Sequence, residues 1–507
     1  MRSAFIAPWL GASEQTIIKV MIAIGIGAYL VLVWLWPYPP ILDWPNHMAR
    51  HYLEGRALAG KSLPSGYEIA YSLMPNLGSD LVVPLLLQIF PLTVASRLFI
   101  TFNVLICWLG FGLFVGHQAA KPANAYGASV LVLPWLLTAS FFDGFLNYTS
   151  GLGLAFFAFF NYLRLFEKDR APTSQLVLHA LLIALLYVWH LAALGVYVVL
   201  HASHLFMHVI MQGPAIVIHQ KDVRKKTFSG LAVLVPTGAL FVTQKLTATS
   251  TPFEGSIAWR DASEKVTTAL AFIFSYNVPA DIVVIALWLV GLATMVRVEA
   301  LRRLPLDWLL VATVGFLTLY IILPSNLGTT WAVDTRALVP LLICCSALIA
   351  RLPARRVVAG AAIILVATLL RIETINASWL HFGEVDTQHL NFIRQLPVGA
   401  RILGVGFHGI SRKNNDDHVI AWAVPERQAM VSSLFAVPGQ QPLHVSVNAM
   451  GPFVRATRDG MEFDAERVRA ASFDYVWCFN PGGKVVTVPA EWTRVYSTSS
   501  ITVWKIR

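Results

Sequence analysis

The segment DWPNHMARHYLEGR, residues 43 to 56, gathers Asp43, His47, Arg50, His51 and Glu54 in one short stretch. His47, Arg50, His51 and Glu54 follow one another at i, i+3, i+4 and i+7, a spacing that puts them on one helical face. A carboxylate such as Asp43 can draw the proton from a hydroxyl within hydrogen-bond reach, which is general-base chemistry. The planar fork of an arginine holds an oxyanion through paired hydrogen bonds. The same residue types recur further along: Asp80, Asp143 and Asn147 in FFDGFLNYTSG, His190, and Asp334 with Arg336 in WAVDTRALVP. Each has a purely structural use as well. Asp43 before Pro45 has the form of a helix N-cap, Asp143 and Asn147 suit a tight turn, and His190 suits a polar contact between helices. Asp334 and Arg336 suit a local ion pair, and the face from His47 to Glu54 suits solvent. His201, His204 and His208 share a helical face as metal ligands do, but they fall toward the far end of their helix, and no metal is assigned to them.

The elements that must position these groups belong to a chain built for a bilayer. Of its 507 residues, 56% are hydrophobic and 13% charged, with a mean hydropathy of +0.62, whereas soluble chains carry about 25% charge. The net charge of +10 fits basic cytoplasmic loops rather than a nucleic-acid partner. Spanning segments are expected at 17–36, 94–116, 125–141, 146–164, 174–189, 192–210, 228–246, 279–296, 307–323, 338–350 and 357–371. The first ends in WPYPP rather than a small-residue cleavage site, so it is expected to remain as a span. The stretch 175–218 must cross twice, because the basic segments RLFEKDR and KDVRKK flank it. With the N-terminus inside, basic residues divide roughly sixteen to nine in favour of the cytoplasmic segments. All the polar groups named above, the three histidines of 201–208 excepted, then share the outer face.

The fold class expected is an all-α polytopic membrane protein of about eleven transmembrane helices with a small C-terminal α/β or α+β domain outside the membrane. Residues 1–371 form the membrane domain, with a first outer loop at 37–80, and 372–507 form the soluble one. In the latter, the short runs RILGVGF, HVIAWAV, YVWCF and SITVWKI read as strands. LVVPLLLQIF (81–90) is too short to span and reads as an interfacial helix. The four cysteines form no zinc or disulfide pattern, and GxSxG, phosphate-loop, HExxH and Rossmann motifs are missing. Ionisable groups at a membrane edge are costly and usually line a pathway or a site. Their convergence under a long loop and a tail suggests catalysis at the outer boundary.

An acid just outside the first span, a long loop with an interfacial helix, about eleven spans and an outer tail together resemble the GT-C superfamily of membrane glycosyltransferases. That superfamily includes protein O-mannosyltransferases, lipid A aminoarabinose transferases and oligosaccharyltransferases. DWPNHMAR, NLGSDLVVPLLL, GFLNYTSGLGLA and VDTRALVPL look like a bacterial multi-span group of this kind. The resemblance implies inverting transfer of a sugar from a polyprenyl-phosphate donor to a glycan, lipid or protein acceptor, at the periplasmic face of the inner membrane. It implies Asp43 as general base with His47 and Asp143 as catalytic partners, and Arg336 on the departing lipid phosphate. Asp334, His190, Asn147, Asp80 and Arg50 are expected around the substrate. Trp44 stands where many members carry a second acid, leaving Asp80, Asp143 or His47 to supply it. No cofactor is implied, and a divalent metal only where two acids meet.

Two other readings compete: a transporter or flippase of a lipid-linked glycan, and a non-catalytic partner protein of the same architecture. A transporter places charges through the depth of several spans. Here the middles of most helices are apolar.

Overall fold

The computed structural model describes residues 12–120, 124–168, 171–212, 221–247, 256–296, 306–328, 330–353, 355–405, 418–436, 440–446, 453–456, 460–479 and 485–506. Arg2, Lys121, Arg170, Arg297, Arg302 and Arg303, which enter the charge balance, lie outside the described residues, as do 213–218 and the last two residues of RILGVGF.

Helix α1 (Ala12–Leu35) runs up to the proline-rich turn, where proline offers no N–H to continue it. After that turn come α2 (Trp44–Leu58), α3 (Gly78–Leu86) and α4 (Leu92–His117). The expected third span, 125–141, is not one helix. It breaks into α5 (Ala125–Ser129), a 3-10 turn (Val130–Trp135) containing Pro134, and α6 (Ala139–Phe142). Next are α7 (Leu146–Phe166), α8 (Thr173–Trp189) and α9 (Leu191–Gln212). The last two are parted by a single extended residue, His190, at φ −164° and ψ 119°, so the 175–218 stretch does divide. Further helices are Lys221–Ala232, Val235–Thr247, Ala262–Ala271, Val278–Met295, Trp308–Ile322, Leu338–Ala350 and Val357–Ile393.

Among the described residues, six helical segments are long and apolar enough to cross a bilayer, and shorter apolar ones stand among them. The chain is a multi-pass membrane protein. Packing between α4 and α7 depends on missing side chains, since a Cβ on Gly110 would overlap the Gly153 carbonyl. Leu81 and Leu85 of α3, with Ile89 and Phe90 beyond it, are exposed; an interfacial helix presents such a face to lipid.

The Val357–Ile393 helix does not stop at the bundle. Its 37 residues, about 55 Å at 1.5 Å per residue, carry the chain into the tail. There a mixed sheet runs in the order Thr493–Ser497, Ile501–Lys505, Tyr475–Phe479, Arg401–Val405, Met430–Val431. HVIAWAV is not a strand. It forms a 3-10 turn (Val419–Trp422) and the start of a short helix (Ala423–Arg427), packed against α2 and the long helix. A run buried on all sides has no periodicity to tell strand from helix.

The first loop and the tail interlock above the bundle. Tyr67–Ile69 pairs antiparallel with Leu443–Val445, and the Tyr67 hydroxyl donates to the Val431 carbonyl at 3.0 Å. Tyr38 donates to Glu426 at 2.9 Å.

Candidate functional site

Asp43 sits at the turn into α2, in the N-cap position, but its backbone is helical (φ −84°, ψ −8°) and its carboxylate caps nothing. Oδ1 instead faces His418 Nε2 at 3.2 Å, and Oδ2 has no partner among the described residues. The turn is held from behind. Leu42 N–H donates to the Phe142 carbonyl at 3.0 Å and Asp43 N–H to the Asp143 carbonyl at 3.3 Å. Gly144, at φ +91°, is required there: a Cβ would stand 2.7 Å from Asp43 N. Asp143 itself is buried. Trp44, in the place of a second acid, is an anchor on α4, its indole N–H on Ser96 Oγ at 2.7 Å and its ring stacked on Phe99.

The face from His47 to Glu54 is not solvated: Arg50, His51 and Glu54 are each at most 1% exposed. Arg50 is turned onto Asp80 of α3, Nε to Oδ1 at 2.7 Å and Nη2 to Oδ2 at 3.2 Å. Thus two residues expected at the substrate satisfy each other and clamp α2 to α3. Burial pushes the His51 imidazole down to about 3 and pushes Glu54 well above the carboxylate range, with Asp80 adding to the latter. Burial also acts to raise Asp80, but the Arg50 guanidinium and the hydrogen bond from protonated Glu54 outweigh it and hold that carboxyl low. His47, partly buried beside Arg50, is likewise held neutral. The knot therefore contains one cation, one anion and a neutral acid. His51, Glu54 and Asp80 are the one described group whose ligand atoms, all within 4.8 Å of one another, could hold a metal; a cation there would compete with Arg50.

Across the Phe142–Phe145 turn lies Arg336. Its guanidinium stacks over Phe145 and Tyr148, 5.5 and 5.8 Å from the ring centres, and Nη2 donates weakly to the Trp331 carbonyl at 3.4 Å. Nε is buried without a partner, and no carboxylate pairs with Arg336 among the described residues. The Tyr148 hydroxyl bonds the Arg336 carbonyl, and His190 packs on the Tyr148 ring at 5.3 Å. One turn therefore touches both key groups, Asp143 and Gly144 on Asp43 and Phe145 on Arg336.

The local pair of Asp334 with Arg336 does not form. Asp334, fully buried, takes Arg260 Nη1 at 2.5 and 2.7 Å and Lys265 Nζ at 3.0 Å. Asn147 stitches backbone, accepting Ser79 N–H at 2.6 Å and donating to the Asn76 carbonyl at 3.0 Å. Of the three histidines at 201–208, His201 bonds Tyr197 at 3.1 Å and His204 bonds Tyr162 at 3.3 Å.

Sequence reasoning missed His418, Arg260 and Lys265. His418 lies 375 residues from Asp43, and no periodic relation ties them. Asn46, one turn beyond Asp43, stood in the quoted motif without a role.

No protein-family profile and no curated protein sequence matches the chain. Solved structures do. ArnT from Cupriavidus metallidurans bound to undecaprenyl phosphate matches with TM-score 0.57 and 10% identity, over 97% of this chain and 98% of that one. This chain has the fold of ArnT. The apo form of ArnT agrees, with TM-score 0.56 and 11% identity over the same shares. The match to ArnT takes in bundle, first loop and tail together, so the expected fold class, a polytopic helical membrane protein with a small strand-containing C-terminal region, is borne out. The arabinofuranosyltransferase AftD from Mycobacteria is also similar, at 15% identity and TM-score 0.49, this chain spanning 40% of its length.

Proposed function

We propose that the protein is a membrane glycosyltransferase. It moves a sugar from a polyprenyl-phosphate donor to a hydroxyl of a glycan, lipid or protein acceptor, at the periplasmic face of the bacterial inner membrane. One observation carries this reading. A single turn joins a carboxylate, Asp43, to an arginine, Arg336, that pairs with no carboxylate among the described residues, where Asp43 Oδ2 likewise has no partner, and it does so in the fold of a protein crystallised with undecaprenyl phosphate.

In this scheme the donor's prenyl chain stays in lipid and its phosphate meets Arg336, whose planar fork suits an oxyanion. The acceptor oxygen attacks the anomeric carbon from the face opposite the phosphate, while Asp43 Oδ2 takes its proton. The bond from carbon to phosphate oxygen breaks, the electron pair leaves with the polyprenyl phosphate, and configuration inverts. Stacking on Phe145 and Tyr148 holds in place the guanidinium that meets the developing charge. Asp143 and His47 flank the base, and the scheme calls on no cofactor.

Purified protein in liposomes, given radiolabelled polyprenyl-phosphate sugars and an envelope lipid fraction, should label a lipid or glycan product. Asp43→Asn should label none. Equal rates for variant and wild type would remove the base assignment, and donor movement across the bilayer without any product would favour transport.

A further inference from the structure

We propose that the tail completes the active site by supplying a positioning residue, His418, which Asn46 orients so that it holds one oxygen of Asp43 and leaves the other to react. This rests on the reading of Asp43 as the base.

The direction of each hydrogen bond follows from the one beside it. The main-chain N–H of Phe435 can only donate, and it lies 2.9 Å from Asn46 Oδ1, so that atom is the amide oxygen. Asn46 Nδ2 is therefore the donor. It stands 3.1 Å from His418 Nδ1 and 3.4 Å from the Ser433 carbonyl. A ring nitrogen that accepts carries no proton, so the network assigns the His418 proton to Nε2, the atom 3.2 Å from Asp43 Oδ1.

With both nitrogens engaged, His418 cannot also accept a proton from the acceptor. Its role is the reverse of the arrangement in which a carboxylate orients a histidine base. Here the histidine orients the carboxylate. Among the described residues no other side chain does so: Asp43 makes no capping bond, and the terminal torsion of an aspartate is broad when unrestrained. Phe435 packs edge-on against His418 at 5.1 Å and against His47 at 5.7 Å, so the same tail segment also braces both rings beside Asp43. The tail thus sets the chemistry as well as covering it.

The test combines kinetics of the full-length protein with a signal that needs no substrate. His418→Ala should lower kcat by about ten- to a hundredfold, the scale of a catalytic group displaced by an ångström, leaving the donor KM and the melting temperature unchanged. His418→Gln, whose amide N–H reaches the place of Nε2, should recover most of the loss. In nitrogen-15 histidine spectra, His418 should show its proton on Nε2, and Asn46→Ala should reduce that signature. Turnover of His418→Ala within twofold of wild type, a glutamine variant no better than alanine, or a proton on Nδ1 would each overturn the proposal. If Asp43→Asn transfers sugar at the wild-type rate, the base reading fails instead, and the spectra still decide whether His418 holds the carboxylate.

Discussion

Asp143 accepts the main-chain N–H of Asp43 at 3.3 Å, so two acids far apart in the chain share one backbone contact. The contact places the second candidate acid behind the first and makes the turn that carries it part of the site. It also explains why Trp44 can be spent on anchoring α2 to α4.

The turn can be probed without touching an acid. Gly144→Ala adds a methyl where Asp43 already stands and demands a left-handed conformation, a strain of about 1 to 3 kcal/mol. Transfer should fall by at least tenfold while the donor still binds. Wild-type kinetics in this variant would mean that the turn does not position Asp43.

Donor binding isolates the arginine. Arg336→Ala removes charge-assisted hydrogen bonds worth about 1.5 to 3 kcal/mol, so titration of lipid-linked sugar should show affinity ten- to a hundredfold weaker. Arg336→Lys should restore only part of it, since a point charge lacks the planar fork. An unchanged affinity for Arg336→Ala would take the residue off the phosphate.

The knot between α2 and α3 separates structural from chemical roles. Asp80→Asn leaves the buried Arg50 charge uncompensated and should destabilise the fold by about 3 to 5 kcal/mol, seen as a large drop in melting temperature in detergent. Glu54→Gln replaces a protonated acid with its neutral isostere, and should melt near wild type at pH 5. A melting point for Asp80→Asn equal to wild type would show that Arg50 has another partner.

These shifts also set a pH dependence. Folded His51 titrates near 3 and an unfolded histidine near about 6.5. As pH falls below the latter, the unfolded chain takes up the proton first, and stability is lost progressively toward pH 3. Glu54 acts in the other direction. Folded, it keeps its proton, while the unfolded chain releases it above about 4.5, so its contribution declines as pH rises. Glu54→Gln should therefore gain on wild type in melting temperature as pH is raised from 5 to 8. A constant difference would mean that Glu54 is ionised in the folded protein.

Much of the scaffold was legible in the residues. Apolar runs of bilayer length must become helices, because lipid offers no partner to an open backbone. Hence α1, α4, α7, α8 and α9 fall where hydropathy places them, and Asp43, seven residues beyond Trp36, has to stand near the mouth of α1. The 3.6-residue period likewise put His47, Arg50, His51 and Glu54 on one face. What that face meets was not legible: Asp80 buries it, and only packing of α3 on α2 brings Asp80 there. Asp334 took Arg260 and Lys265 rather than its neighbour Arg336, which left the arginine without a carboxylate among the described residues. His418 reached Asp43 because HVIAWAV folded as a helical turn against α2 instead of a strand. Local periodicity governs neighbours within an element. Contacts between distant segments depend on how buried surfaces fit and how charges find partners once water is gone, and for this protein that decided which carboxylate oxygen faces His418 and which arginine, among the described residues, has no acid beside it.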